Sequence, residues 1–455
     1  SYTIDRIAPT VVSVLRASPD PTNAASVSYT VTFSEAVTGV GVSDFTLNLS
    51  GITGATVSEV SGGPTTYTVN VATGSGSGTL RLDVPGSASI ADIAGNTLAG
   101  LPYTGGESYT VDKAVPTVVS ILRASPDPTN AASVNYSVTF SEAVTGVEVS
   151  DFTLTLSGIT GATVSGVSGG LTTYTVSVAT GSGSGTLRLD IPGSAAISDT
   201  VGNALTGLPY TGGERYTIDK IAPAVASILR ADPNPTNEDE VDYTVTFSEA
   251  VTGVGVSDFI LSLTGLIDAA VIGIDGGPTS YTVTVDTGRR SGTLRLDIPT
   301  TATIIDTVGN SLSDLPYTGG ESYTLDRDEP TIVSISRVDP SPTNATSVNY
   351  LVTFSEVVSG VETDDFSLTL SGLSGATISG VSGGPTIYTV VVSTGSGDGT
   401  LRLDVPDTAL IIDTAGNSVE DLPYIGGDSY LLDKTAPAVV WILRAVRRTA
   451  IASCF

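Results

Sequence analysis

Carboxylate side chains recur along this chain at a fixed interval, which makes them the first candidates for chemistry. Asp5, Asp112, Asp219 and Asp326 stand 107 residues apart, and each is followed by a glutamate and a second aspartate at constant offsets. Ca²⁺ prefers oxygen ligands and takes about six to eight of them. We therefore expect a calcium site in each copy of the pattern, formed by Asp5, Glu35 and Asp92; by Asp112, Glu142 and Asp199; by Asp219, Glu249 and Asp306; and by Asp326, Glu356 and Asp413.

The order of the strands explains why these residues would meet. The first strand of a repeat leads away from the joint with the preceding repeat and the second strand returns, so Glu35 and Asp92 are expected near the pole where Asp5 enters. A second interpretation needs no metal: residues 92–96 form a turn capped by its own side chains, and Asp5 pairs with Arg6. The chain has no local Asp-x-Asp-x-Asp loop. The sequence leaves both interpretations open.

Other kinds of chemistry are excluded by composition. The chain has no histidine and a single cysteine, Cys454, so it cannot hold a Ser-His-Asp or Cys-His site, a histidine zinc site or an intrachain disulfide framework. Paired carboxylates of the glycosidase type are not excluded, but the acidic residues recur with the repeat, which argues against one dedicated active site. We therefore predict that the protein is not an enzyme and that no cofactor is required. Three Asn-x-Ser/Thr sequences are candidate glycosylation sites, at Asn48, Asn135 and Asn344.

Net charge and the lack of certain sequence signals limit the classes of partner that we expect. The formal net charge is −28, and a surface this acidic repels nucleic acid and anionic membranes. The sequence has no run of membrane-spanning length, so membrane insertion is not expected. Because residue 1 is a serine and the chain has no methionine, we expect a processed product or a piece of a longer chain.

The 107-residue interval also defines the domains. It predicts repeats at residues 6–112, 113–219, 220–326 and 327–433, with an orphan last strand at residues 1–5 and an extra strand and tail at residues 434–455. A unit of this size can bury its own core. The joint between repeats is short and contains a proline, as in Asp112-Lys113-Ala114-Val115-Pro116, which limits bending compared with a Gly/Ser linker.

Within a repeat, apolar and polar residues alternate with a period of two. Val27, Tyr29, Val31 and Phe33 alternate with polar residues, which is typical of an antiparallel sheet with one face in water. Further strands are expected near residues 11–15, 45–49, 55–60, 67–71, 80–84 and 109–111. The predicted fold class is all-β, with four tandem Ig-like antiparallel β-sandwich domains in an extended rod about 150 Å long. A jelly-roll-like sandwich is the alternative, because strand order cannot be read from the sequence.

Several short motifs resemble one family. Residues 31–37 (Val-Thr-Phe-Ser-Glu-Ala-Val), 43–45 (Ser-Asp-Phe), 78–83 (Gly-Thr-Leu-Arg-Leu-Asp), 92–96 and 106–109 together resemble the bacterial Ig-like tandem repeats of secreted and cell-surface proteins. The resemblance covers nearly the whole chain. It implies a spacer, stalk or adhesive role at the cell surface or outside the cell, with calcium bound at the joints in some relatives.

The two ends depart from the repeat. The first and last strands of the repeat each occur five times, whereas everything between them occurs four times. Trp441, the only tryptophan, replaces a serine that stands at this position in the other copies, and the turn-forming prolines that follow elsewhere are missing after it. A strand that is apolar on both faces is expected to be covered on both faces. The predicted assembly residues are Tyr2, Ile4, Val439, Val440, Trp441, Ile442, Leu443, Val446 and Ile451.

Three interpretations of the C-terminal strand remain open. It adds to a neighbouring subunit and builds a head-to-tail filament, it folds back on the fourth repeat, or the chain is an excerpt of a longer stalk. We predict the first: a structural subunit of an extracellular filament or surface layer that self-associates into a polymer. The alternative is a cell-surface adhesin stalk, with or without calcium to stiffen its joints, that presents loops to a carbohydrate or protein ligand. Cys454 is a candidate for an intermolecular disulfide or a free thiol.

Overall fold

The computed structural model describes residues 3–444 and consists of two compact units, Ser1–Ile221 and Ala222–Phe455. Each unit contains two separate hydrophobic cores, and each core draws its residues from a single predicted repeat. No helix in the described part of the chain has the length and apolar character needed to cross a membrane.

All four repeats are built from the same nine strands. In the first repeat these are β1 (Val11–Arg16), β2 (Ser26–Phe33), β3 (Val37–Thr38), β4 (Thr46–Ser50), β5 (Thr56–Gly62), β6 (Thr66–Ala72), β7 (Gly78–Asp83), β8 (Ala91–Asp92) and β9 (Ser108–Val111). In the second they are β10 (Val118–Arg123), β11 (Ser133–Phe140), β12 (Val144–Thr145), β13 (Thr153–Ser157), β14 (Thr163–Gly170), β15 (Thr173–Ala179), β16 (Gly185–Asp190), β17 (Ser198–Asp199) and β18 (Arg215–Ile218).

The second unit repeats this order. The strands of the third repeat are β19 (Val225–Arg230), β20 (Glu240–Phe247), β21 (Val251–Thr252), β22 (Ile260–Thr264), β23 (Ala270–Gly276), β24 (Ser280–Asp286), β25 (Gly292–Asp297), β26 (Ile305–Asp306) and β27 (Ser322–Leu325). Those of the fourth are β28 (Ile332–Arg337), β29 (Ser347–Phe354), β30 (Val358–Ser359), β31 (Ser367–Ser371), β32 (Thr377–Gly383), β33 (Ile387–Ser393), β34 (Gly399–Asp404), β35 (Ile412–Asp413) and β36 (Ser429–Leu432). The helical elements are single 3₁₀ turns at Val42–Asp44, Val149–Asp151, Val256–Asp258 and Thr363–Asp365.

The strand order decides between the two predicted sandwiches. In the first repeat, one sheet has the order β1-β2-β6-β5, the other has the order β4-β7-β9, and β3 pairs with β8. The pairings are antiparallel, and the equivalent strands of the other three repeats have the same order. Four strands facing three in this order is the arrangement of a constant-type Ig domain. The predicted Ig-like sandwich is confirmed.

The alternation of side chains places the core between the two sheets. Val27, Tyr29, Val31 and Phe33 on β2 are buried, while the residues between them are only partly covered. Burying an aliphatic or aromatic side chain of this kind contributes about 1.5–3 kcal/mol. Because the repeats have no disulfide in the described chain, this apolar contact is the main source of their stability.

One tyrosine closes the side of the sandwich where β1 and β9 meet. The Tyr109 hydroxyl accepts hydrogen bonds from the amides of Ala17 and Ser18 at 2.9 and 2.7 Å, and it donates one to the carbonyl of Ser28 at 2.7 Å. The amide of Glu107 also donates to the carbonyl of Val14. This side is therefore sealed by hydrogen bonds between the two sheets.

The predicted terminal strands are not formed within the described residues. Residues 3–5 and 438–444 form no regular secondary structure and belong to no sheet, and Ile4 is exposed. Residues 438–444 do not fold back on the fourth repeat. Tyr2, Val446, Ile451 and Cys454 lie outside the described residues, so their predicted roles stay predictions.

Candidate cation sites and the exposed terminal segment

The first predicted carboxylate set comes together in the structure. Asp5 lies before β1, Glu35 follows β2, and Asp92 ends β8, which pairs with β3 directly after Glu35. One oxygen from each carboxylate lies within 4.8 Å of the other two. Asp5 is exposed, Glu35 is half-buried and Asp92 is buried. We refer to each such group of three as a carboxylate cluster.

Asp92 is also held by the turn that was predicted as the metal-free alternative. The amide of Asn96 donates to Asp92 Oδ1 at 2.8 Å, and Asn96 Nδ2 donates to Asp92 Oδ2 at 2.7 Å. In the equivalent turn of the fourth repeat, three backbone amides donate to Asp413 Oδ1 and Asn417 Nδ2 donates to Oδ2. A carboxylate oxygen accepts about two hydrogen bonds, so the oxygen that bonds the asparagine side chain keeps one acceptor position for a cation. The turn and the cation site are therefore compatible.

The second half of that alternative is not found. The carboxylate of Asp5 accepts a hydrogen bond from the amide of Ile7 at 3.0 Å, and Arg6 makes no ion pair with it. Asn96 Nδ2 also donates to the carbonyl of Ile7 at 3.2 Å. The same amide thus fixes both the turn and the incoming chain beside the cluster.

The second cluster has the same construction. Asp112, Glu142 and Asp199 again place one oxygen each within 4.8 Å of the others. The side chain of Asn203 donates to Asp199 Oδ2 at 2.8 Å and to the carbonyl of Asp112 at 3.0 Å. Because Asp112 closes the first repeat and the other residues belong to the second, this cluster spans the joint between two repeats.

The cluster in the second unit repeats this geometry. Asp326, Glu356 and Asp413 meet at the joint between the third and fourth repeats. Asn417 Nδ2 donates to Asp413 Oδ2 at 2.8 Å and to the carbonyl of Asp326 at 2.9 Å. Two joints therefore carry the same arrangement of three carboxylates and one asparagine.

The remaining predicted set divides between the two units. Asp219 belongs to the first unit, whereas Glu249 and Asp306 belong to the second. Within the second unit, Asp306 accepts hydrogen bonds from the amide and the side chain of Asn310, at 2.8 and 2.7 Å. The turn is thus the same as in the other repeats, and the meeting of all three carboxylates stays a prediction.

The glutamate of each of these clusters and Asp92 of the first cluster have shifted pKa values. Burial raises the pKa of Glu35, Glu142 and Glu356, and the charges of the two neighbouring aspartates raise each of them further. The hydrogen bond from the Asn96 side chain lowers the pKa of Asp92. Glu35 therefore takes up a proton more readily than Asp92, and a bound cation would compete with that proton.

One contact between repeats was not foreseen from the sequence. Asn23 of the first repeat donates from Nδ2 to Oδ1 of Asn203 in the second, at 3.2 Å. Lys113 in the joint donates to the carbonyls of Asn23 and Ala24 at 2.6 and 2.9 Å. The sequence signal was available, because an asparagine follows the Pro-Thr pair in every repeat.

Five of the six predicted assembly residues that the structure describes lie together on one exposed stretch, and the sixth, Ile4, lies near the N-terminus. Val439, Val440, Trp441, Ile442 and Leu443 are between 77% and 92% exposed; we call residues 439–443 the terminal apolar segment. The chain before it is anchored, because the amides of Lys434 and Thr435 donate to the carboxylate of Asp398. The segment thus leaves the fourth repeat directly after a fixed point.

Comparison with known proteins gives likenesses to solved structures only. No protein-family model matches the sequence, and no curated protein is significantly similar to it. The chain is similar to FdeC, an adhesin of Escherichia coli, with 18% identity over 69% of this chain and 96% of FdeC and a TM-score of 0.36. It is similar to invasin, a bacterial integrin-binding protein, with 11% identity over 88% of this chain and 77% of invasin and a TM-score of 0.34.

A third likeness is to the N-terminal part of the bacterial S-layer protein SbsC. The identity is 21% over 44% of this chain and 45% of that structure, with a TM-score of 0.18. These likenesses concern the fold alone.

Proposed function

We propose that this protein is a structural subunit of an extracellular filament or surface layer, and that copies associate through the terminal apolar segment. The observation that carries the proposal is the exposure of five consecutive apolar side chains, from Val439 to Leu443. Other large apolar side chains are exposed in the described chain, but no two of them are adjacent in sequence. A contiguous exposed apolar stretch marks an interaction site or an aggregation hazard. A strand-like segment of this kind binds by adding to the edge of another sheet.

The composition supports a location outside the cell. A chain with no histidine, a net charge of −28 and repeated rigid domains is suited to a soluble spacer and offers no site for acid–base or nucleophilic catalysis of the histidine type. The resemblance to bacterial surface repeats points the same way. The proposed role is therefore mechanical and not enzymatic.

Electron microscopy of negatively stained protein tests this proposal. The intact chain is expected to form fibres or sheets of constant width, and a variant lacking residues 438–455 is expected to stay monomeric with an unchanged circular dichroism spectrum. Assembly by the shortened variant, or isolated particles of the intact chain at every concentration, would contradict it.

A second candidate function is a cell-surface stalk whose joints are stiffened by Ca²⁺. The observation that favours it is the recurrence of the carboxylate clusters at the joints, as in Asp112, Glu142 and Asp199. Three carboxylates at this separation repel one another, and a divalent cation would remove the repulsion while linking two repeats. A stalk of this kind would bind its carbohydrate or protein ligand as a monomer, so binding to a surface without self-association would favour it over the filament.

A further inference from the structure

The third repeat carries an apolar groove on the open side of its sandwich. Edge strands β22 and β23 follow each other in the chain but belong to different sheets. Between them lies a groove of about 410 Å³, and its lining includes Val256, Phe259, Ile260, Leu261, Leu263 and Val271. This is the side opposite the one sealed by the equivalent of Tyr109.

The groove is more apolar in the third repeat than in the others. Ile260 is 50% exposed, and the equivalent residues in the other three repeats are Thr46, Thr153 and Ser367. The first repeat has a groove of about 470 Å³ in the same place, with Thr46 in its lining. Because the other three repeats fold with a threonine or serine at this position, the fold does not require an apolar side chain there. The exposed isoleucine is therefore a feature of the third repeat alone.

The strand beside the groove has a free edge. β22 pairs with β25 on one side, and no strand of the described chain pairs with its other side. A strand of this kind presents unpaired amide and carbonyl groups to a partner. The groove therefore offers both main-chain hydrogen bonds and an apolar surface to an extended segment.

We propose that this groove receives the terminal apolar segment of a second copy of the chain, which adds to β22 as an extra strand. The inference rests on the proposed function and names the acceptor surface for it. Five consecutive apolar residues give such a strand two apolar faces, one for the groove and one for its rim. Trp441 supplies the largest side chain, and aromatic residues of this size dominate the energy of many interfaces.

Charge favours a second copy as the partner. All acidic residues of the chain precede Lys434, whereas the residues that follow include Arg444, Arg447 and Arg448. Two copies with a net charge of −28 repel each other over most of their surface. The basic residues after Lys434 are instead attracted to the acidic surface of a second copy.

Photo-crosslinking of the full chain tests the location. Trp441 is replaced with p-benzoylphenylalanine, and the protein is mixed with an isotopically labelled copy so that crosslinks between chains are distinguished from those within one chain. Crosslinks between chains to residues 256–271 are expected. Crosslinks confined to one chain, or directed to other repeats, would overturn the proposal.

A pair of matched variants tests the contribution of the groove. Ile260→Thr introduces the residue found in the first two repeats, and it is expected to weaken self-association about tenfold in sedimentation velocity, because the lost apolar contact is at the proposed interface. Ile272→Ser is the control, since Ile272 is 48% exposed on β23 but does not line the groove. Equal effects of the two variants would overturn the proposal.

The experiments distinguish a failure of the proposed function from a failure of the proposed acceptor groove. If removal of residues 438–455 leaves assembly intact, the proposed function itself is wrong. If that removal abolishes assembly while Ile260→Thr has no effect, only the acceptor groove is wrong. Circular dichroism melting of each variant verifies that folding is retained.

Discussion

Asn237 in the third repeat donates a hydrogen bond from its side chain to the side-chain oxygen of Asn417 in the fourth, at 3.0 Å. Asn417 also donates its amide to Asp413 Oδ1 at 2.8 Å and its Nδ2 to the carbonyl of Asp326 at 2.9 Å. One asparagine therefore holds a turn, the joint and the neighbouring repeat together. Asn23 and Asn203 form the equivalent pair in the first unit.

Replacement of Asn417 should cost more stability than replacement of Asn237. Asn417→Ala removes three side-chain hydrogen bonds at a buried position, to Asp413, to the carbonyl of Asp326 and from Asn237, so we expect a loss of about 1–3 kcal/mol in the free energy of unfolding. Asn237→Ala removes the contact between repeats and leaves the turn intact, with an expected loss of about 0.5–1.5 kcal/mol. Urea denaturation of the two variants measures the difference, and equal losses would mean that the turn does not depend on Asn417.

This pair also shows what the sequence could and could not predict. The turn at Asp413 and Asn417 was expected, because its residues are neighbours in the chain and Asp and Asn favour such turns. The bond to Asn237 was not expected, because a contact between residues 180 positions apart depends on how two folded repeats dock. The carboxylate clusters lie between these cases: their proximity followed from strand direction alone.

Calcium should stabilise the intact chain. We expect the melting temperature to rise by several degrees on addition of Ca²⁺, because a ligand at 100 times its Kd stabilises the folded state by about 2.7 kcal/mol per site. Excess EDTA should reverse the rise. The variant Glu142→Gln removes one carboxylate from the second cluster and should reduce the effect.

Glu148→Gln is the matched control for that experiment, because Glu148 is an exposed glutamate of the same repeat outside the cluster. It should leave the calcium effect unchanged. A melting temperature that responds to neither Ca²⁺ nor EDTA would falsify the cation sites and leave the turns as the sole role of these aspartates.

The pH dependence of stability should reveal the raised pKa of the cluster glutamates. The ordinary pKa of Glu142 is near 4.5, and burial followed by the charges of Asp112 and Asp199 raises it in the folded state. The resulting stability is fully present below the unfolded pKa and is lost as the pH rises through the folded pKa. In EDTA, we therefore expect the melting temperature to fall as the pH increases above about 4.5.

Glu142→Gln should flatten part of that slope, and Ca²⁺ should oppose it, because a cation binds the deprotonated form. Asp92 acts in a different pH window: its lowered pKa stabilises the fold above its ordinary value of 3.8, and this contribution is lost as the pH falls further. A slope that is the same in the variant and the parent chain would contradict the assignment to the glutamates.

The hydroxyl of the tyrosine that seals each sandwich should contribute more to the free energy of unfolding than the hydroxyl of the neighbouring core tyrosine. The hydroxyl of Tyr109 serves two amide donors and one carbonyl acceptor, whereas the hydroxyl of Tyr29 donates once, to the carbonyl of Leu80 at 2.8 Å. Substituting phenylalanine for Tyr109 and its equivalents Tyr216, Tyr323 and Tyr430 should lower the urea midpoint clearly, since each repeat loses about 1–3 kcal/mol.

Phenylalanine at Tyr29 and its equivalents, Tyr136, Tyr243 and Tyr350, is the matched control. These side chains are equally buried and pack edge to face against the sealing tyrosines, so the same atoms are removed from the same core. We expect the smaller loss of about 0.5–1.5 kcal/mol per repeat. If both sets of variants unfold at the same urea concentration, the seal contributes no more than an ordinary hydrogen bond.

Trp441 should decide whether the terminal apolar segment drives assembly. Ser13, Ser120, Ser227 and Ser334 stand at the equivalent positions, so Trp441→Ser restores the residue of every other copy and removes a side chain that is 84% exposed. We expect the variant to remain folded and to lose self-association in sedimentation velocity, because an aromatic anchor at an interface is commonly worth 2 kcal/mol or more. Leu410→Ala removes an apolar side chain that is 81% exposed elsewhere on the second unit, and it should leave association unchanged. Equal loss in both variants would assign the association to general surface hydrophobicity and not to this segment.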